Sequence, residues 1–353
     1  MTLLGAFDAT AAELGTLHVV GGRQRNRQGL RELDEQWYGY GKGVVVEVAG
    51  GTPTTVLERR CAEGTVGPDD PELFKSATRH GDRLYACSET EVLVYSYPDL
   101  ELLHHVSHPI FNDVHHVVPA AVPADRSAPS PGSVGVEPNL VVAVSGQDLV
   151  AELTVEGELV SMWAVDGSDP SKRIDPDRDY RVNTRLKPHA YHPNHLFRMA
   201  DGRLWVTRFE SRDAVEVGNL DRRMVIGRER CHDGVLHDGL VHFTTVDGWV
   251  VAIDADTLEV VAEHRLAGPR ESTLLGWCRG LTFVGDLAIV GFSRIRHTKV
   301  RGALSWVRNG LTVSEPTRIA VYDRHSWSLQ SEIDLEPAGC NAVFSIIAGT
   351  EAC

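Results

Sequence analysis

Lysine, methionine, paired cysteine and helical periodicity are all scarce in this chain. Of its 353 residues only Lys42, Lys75, Lys172, Lys187 and Lys299 are lysines, so the basic side is almost all arginine. The six cysteines, Cys61, Cys87, Cys231, Cys278, Cys340 and Cys353, lie far apart without a CxxC pair. That spacing excludes a disulfide-stapled miniature fold, and they read as reduced thiols. No sustained apolar run is present and the first residues lack a basic start, so neither a membrane span nor a secretory leader is expected, and a cytoplasmic location follows. A formal net charge of −14 argues against nucleic acid as the partner. Nucleophile elbows, Walker loops, Rossmann glycine fingerprints and HExxH helices are missing as well.

What the chain has instead is short alternating runs of Val, Leu, Tyr and Trp, punctuated by Asp-Gly, Gly-Asp and Asn-Gly turns. This is an all-β pattern. The clearest unit runs from Cys231 to Leu266 and holds four strands: His232-Asp-Gly-Val-Leu, Leu240-Val-His-Phe-Thr-Thr, Trp249-Val-Val-Ala-Ile-Asp and Leu258-Glu-Val-Val-Ala-Glu-His-Arg-Leu. Four strands in so short a span make one propeller blade. The same frame fits Phe74–Val106, Val114–Val165, Asn194 to about Arg230, and Trp277–Leu335. A lone C-terminal strand, Cys340–Ile347, and three N-terminal strands at Leu17, Val44 and Thr54 remain. Pairing the two ends closes a six-bladed ring without exposed edges. One propeller domain spanning 1–353 is expected, with seven blades as the alternative if Asp166–His192 holds further strands.

Alignment of the first strand of each blade places one residue per blade near the axis: Asn341, Lys75, His116, His195, His232 and Arg279. Cys340, Cys231 and Cys278 precede three of these and, by strand alternation, point into the sheet packing. Converging neutral imidazoles suit a divalent metal. His116, His195 and His232 are therefore the candidate ligands of Fe, Zn or Mn, with His115 exchangeable for His116 by a one-residue slip. Asp113 and Asp233 are expected to fix imidazole tautomers from outside the ligand set. His189 and His192 read as loop residues, with His192 nearest the mouth.

Arg279 offers a fixed fork of donors for a substrate anion, and Lys75 or a loop tyrosine is the candidate proton carrier. The segments Gly22–Lys42, Asp166–His192 and Arg294–Pro316 hold 5 + 6 + 5 = 16 Lys or Arg against 3 + 5 + 1 = 9 acids, a net of +7, leaving −21 elsewhere. On the six-blade frame all three lie on the face where the inner strands begin. Arg296, Arg301 and Tyr191 on them, with Asn341 at the axis, are the candidate substrate-binding residues, and a small anionic metabolite is the expected partner.

The stretch Trp277-Cys-Arg-Gly-Leu-Thr-Phe-Val-Gly-Asp-Leu-Ala-Ile-Val-Gly-Phe-Ser-Arg-Ile-Arg296 resembles a bacterial family of uncharacterised β-propellers, in which an Arg-Gly-Leu motif leads to Val-Gly-Leu-Ser-Lys-Ile-Arg. Arg230-Cys231-His232 is similar to that family's Arg-Cys-His segment, while Phe292 and Asp233-Gly234 depart from its pattern. The resemblance covers mainly the last third of the chain. It implies the propeller fold and no activity. From the residues, the expected function is metal-dependent elimination, cyclisation or hydrolysis of a small anionic metabolite. An iron-dependent oxygenase and a non-catalytic binding propeller are the alternatives.

Overall fold

A computed structural model describes residues 13–25, 39–67, 70–120, 137–182, 189–268, 275–294 and 315–349. These residues form six four-stranded antiparallel sheets. Blade 1 comprises Ser76–His80, Arg83–Cys87, Val92–Ser96 and Leu102–Val106; blade 2 Val114–Pro119, Leu140–Val144, Leu149–Leu153 and Leu159–Ala164. Blade 3 comprises Pro193–Arg198, Leu204–Arg208, Asp213–Glu216 and Asn219–Val225; blade 4 Cys231–His237, Leu240–Thr245, Trp249–Asp254 and Val260–Arg265. Blade 5 comprises Trp277–Val284, Leu287–Ser293, Arg318–Asp323 and Leu329–Asp334. Blade 6 takes its inner strand from Ala342–Ala348 and its other three from Thr16–Gln24, Tyr40–Ala49 and Thr52–Arg59.

The six inner strands contact one another in sequence around the ring. The molecule is thus a six-bladed β-propeller, closed by the antiparallel pairing of Leu17–Gly22 with Ala342–Ala348. Such closure gives blade 6 its fourth strand and joins the two ends of the chain within one sheet.

Local chemistry follows position in the blade. Middle strands are largely buried and rich in apolar residues, as in Leu287–Ser293 and Leu140–Val144. Outer strands face water on one side and alternate, as in Thr52–Arg59. The Asp238-Gly239 hairpin has φ of 49° and 74°, which is the positive-φ pair that two-residue hairpins require.

No single core exists. Apolar side chains pack between neighbouring blades, for example Tyr85, Phe111 and Leu140 between blades 1 and 2, and Trp205, Phe243 and Ile253 between blades 3 and 4. Cys231, Cys278 and Cys340 sit in these inter-blade cores as strand alternation predicts, and burial pushes their thiols upward in pKa.

Inner strands carry the feature that shapes the site. Pairing with the next strand slips between Val114 and His116, Pro193 and His195, His232 and Val235, and Cys278 and Leu281. Each slip is a β-bulge near the same end of its blade. A bulge breaks the alternation of faces and re-aims the residues beside it. At Gly280, φ of 83° meets this need without the steric cost a Cβ would add.

Candidate metal centre

Asp113, His115 and His192 converge at the rim where the inner strands begin. Asp113 and His192 stand immediately before Val114 and Pro193, with left-handed φ of 53° and 55°. Asp and His tolerate that region better than most residues, and such positions concentrate at functional sites. One ligand atom from each of the three lies within 4.8 Å of the others.

Each atom's state follows from its neighbours. The Asp113 backbone carbonyl accepts a 2.8 Å hydrogen bond from His115 Nδ1, which leaves the Nε2 lone pair as the ligand atom. His115 and His192 meet edge to face with ring centroids 4.4 Å apart. His189 Nε2 lies 2.8 Å from Asp113 Oδ2, and His192 Nδ1 lies 4.0 Å from the same oxygen. One carboxylate and two imidazoles converging in this way could hold a cation, and an N/O set of this kind fits Fe, Mn or Zn.

Lys75 completes the charge arrangement. Its ammonium is buried against Asp113 Oδ1 and lies 2.7 Å from Glu89 Oε1. Burial opposes the Lys75 charge, but these two carboxylates outweigh it and raise its pKa. Burial likewise works against the Asp113 carboxylate, yet Lys75 and then His115 hold its pKa well below the usual range. Burial first, and the Lys75 charge second, push His115 well below 6.5, so its imidazole is neutral at pH 7.

The group with metal-ligand spacing differs from the expected ligand set. His116, His195 and His232 do not assemble as a metal group among the described residues. His116 and His195 stack on each other, with centroids 3.9 Å apart. His232 has both ring nitrogens engaged: the Trp277 indole N–H donates to Nε2 at 3.0 Å, and the Asn194 side-chain amide lies 2.8 Å from Nδ1. The physical reason is the bulges, which turn His115 and the residues before the strands toward one point. Asp113, expected only to orient an imidazole, has a carboxylate oxygen within the group, and of the His115-His116 pair it is His115 that belongs to it.

The remaining candidates are distributed differently. Lys75 is not free at the axis but clamped. Arg279 is buried, with Nη2 donating to the Lys75 carbonyl at 3.1 Å and its guanidinium 4.2 Å from the Phe344 ring centroid. Asn341 is structural: its Oδ1 accepts from the Gln24 N–H at 2.9 Å and its own N–H donates to the Gly22 carbonyl. The Tyr191 ring packs against an inter-blade core and beneath Arg208. Arg296 and Arg301 lie outside the described residues.

Several described cations of the basic segments are paired. Arg23 and Lys42 meet Glu58, Arg173 meets Asp166, Arg181 meets Asp179, and Arg294 meets Glu336.

His189 and His192 were within reach of sequence reasoning, since His189, His192 and His195 repeat every third residue. The Asp113-Val114-His115 spacing was the other available signal. The threefold histidine spacing matches no strand period, and only the fold shows which histidines turn inward.

Fold and site together define a six-bladed propeller with an axial His/Asp cluster. No protein-family model matches the chain, and no curated protein matches it in sequence. A crystal structure of a protein of unknown function from Bacteroides caccae is similar over 94% of this chain and 98% of its own, at 13% identity and a TM-score of 0.58. That likeness shows the fold. A virginiamycin B lyase from Staphylococcus aureus aligns over 79% of this chain and 73% of its own, at 10% identity and a TM-score of 0.43. The dihydro-heme d1 dehydrogenase NirN aligns over 88% of this chain and 56% of its own, at 11% identity and 0.40. Among the described residues, no helix is long and apolar enough to cross a membrane.

Proposed function

We propose that this propeller is a metal-dependent enzyme acting on a small anionic metabolite at its axis. The single observation that carries the reading is the convergence of Asp113, His115 and His192, one ligand atom from each lying within 4.8 Å of the others, with His189 Nε2 2.8 Å from Asp113 Oδ2. A divalent cation held there would polarise a substrate oxygen or activate water, as elimination, cyclisation or hydrolysis requires. Asp113, His115 and His192 would hold it, with His189 alongside. Lys75 and Glu89 keep Asp113 ionised and in place, and Arg279 receives the anionic group of the substrate.

One observation favours a second reading. Two histidines and one carboxylate with open positions is the ligand set of non-haem iron oxygenases. Elemental analysis of purified protein, followed by oxygen-uptake measurements on the Fe(II)-loaded form, separates the two. Bound metal without oxygen consumption across a panel of small carboxylates supports the Lewis-acid reading. Protein that stays metal-free after incubation with Zn(II), Mn(II) and Fe(II) overturns both and leaves a non-catalytic binding propeller.

A further inference from the structure

Below the His/Asp cluster, the same bulged strands build a second group of polar side chains. His116 and His195 each stand three residues further along than Asp113 and His192, roughly 10 Å at strand rise, and Arg279 is the third residue of its own inner strand. Arg279 is only 7% exposed, yet among the described residues no carboxylate oxygen lies within 4.0 Å of its guanidinium. Its one side-chain hydrogen bond there is from Nη2 to the Lys75 carbonyl. A guanidinium carries five donors, and buried cations ordinarily have an anionic partner. His116 Nδ1 is buried without a partner, and neither His116 nor His195 makes a side-chain hydrogen bond among the described residues. Burial, and then the Arg279 charge, push His195 down to about 3, so it stands as a neutral donor and acceptor.

We infer that this group is a carboxylate-binding subsite, in which Arg279 grips one substrate carboxylate in a two-pronged hydrogen bond and His116 and His195 complete its contacts. The inference rests on the proposed enzymatic reading and names the substrate class: organic acids with one carboxylate directed inward. Charge decides between carboxylate and phosphate. Among the described residues no carboxylate lies within ion-pair distance of Arg279, while Asp233 and Asp113 act on it electrostatically, and Asp113 is already shared by Lys75. A second negative charge on a bound phosphate would face those carboxylates without compensation. The flat fork of a guanidinium also matches a planar carboxylate.

Titration of 15N-labelled, metal-loaded protein with acetate, benzoate and inorganic phosphate tests this. Acetate and benzoate are expected to shift the Arg279 Nε–H and His195 ring signals, with phosphate binding at least tenfold more weakly. Arg279→Gln should weaken benzoate at least tenfold, Arg279→Lys by a lesser factor, and His195→Leu several-fold, with circular dichroism unchanged. Phosphate binding as tightly as benzoate, or benzoate binding indifferent to Arg279→Lys and His195→Leu, overturns the inference even if Arg279→Gln fails to fold. The same titration on EDTA-treated wild type keeps the two readings apart. Carboxylate binding in a protein that takes up no metal sinks the metal reading alone, and metal uptake without carboxylate binding sinks this inference alone.

Discussion

The carboxylate of Asp148 accepts a 2.7 Å hydrogen bond from the backbone N–H of His192, and so fixes one member of the candidate metal centre from the neighbouring blade. The same carboxylate accepts from the Tyr191 N–H at 3.1 Å and the Ala190 N–H at 3.0 Å. Three backbone donors on one carboxylate set the path of the loop that carries His189 and His192. Asp148 itself has a left-handed φ of 54°, at the end of a short 3-10 turn. Asp148→Asn is expected to lose about 1–3 kcal/mol of stability, since an amide offers one acceptor where the carboxylate offers two. It should also lower metal affinity by roughly 10- to 100-fold through misplacement of the histidines. Thermal denaturation and competitive metal titration measure the two effects separately.

Ligand assignment makes a sharper distinction. His115→Ala and His192→Ala should each lose most of the bound metal, whereas His232→Ala should retain it, because the His232 nitrogens already serve Trp277 and Asn194. Elemental analysis of the three purified variants decides the matter. Equal loss in His232→Ala would restore the three-histidine set.

Acid stability offers a test away from the site. His242 is buried against Phe283, and burial pushes its pKa down to about 4. Its unfolded value is near 6.5, so between pH 6.5 and 4 the unfolded chain takes up a proton that the folded protein refuses. Stability therefore falls as pH falls through that window, by at most about 1.4 kcal/mol per unit from this residue. Denaturant melts at pH 7, 6 and 5 should show a shallower decline for His242→Gln than for wild type.

Blade 3 is held by a buried ion pair. Arg208 Nε and Nη2 reach the two oxygens of Asp213 at 2.8 and 2.6 Å, and Nη1 crosses to the Val165 carbonyl of blade 2 at 2.8 Å. Asp213→Ala leaves a guanidinium without its partner in a dry setting and should cost about 3–5 kcal/mol. Urea denaturation measures it, and a loss below about 1 kcal/mol would show that solvent reaches Arg208 freely.

Ring closure is testable by truncation. Removing residues 340–353 deletes the inner strand of blade 6, together with Val343 and Ile346 of the core between blades 5 and 6. The shortened protein should be insoluble or lack a cooperative melt. A soluble truncation with an unchanged β-sheet spectrum would contradict closure by this strand.

Much of the architecture was legible along the chain because blade position is written in local pattern. Middle strands such as Leu287–Ser293 are largely apolar, outer strands such as Thr52–Arg59 alternate, and Asp238-Gly239 marks its hairpin by backbone chemistry alone. Even the closure was readable, since one leftover strand at the C-terminus and three at the N-terminus have few other ways to satisfy their edges. The site obeyed a different logic. Strand alternation correctly sends Cys231, Cys278 and Cys340 into the cores, but the same rule, extended one residue further, nominates His116, His195 and His232 as a single set. Bulges at the strand starts cancel the alternation there, and a bulge depends on how two strands pair rather than on the residues of one. The sequence by itself determined the blades, their order and the cysteine-lined packing. Only the tertiary structure decided that Asp113, His115, His189 and His192 would meet, because their convergence depends on Asp148 of blade 2 holding the loop that leads into blade 3 and on Lys75 of blade 1 pairing with Asp113 of blade 2.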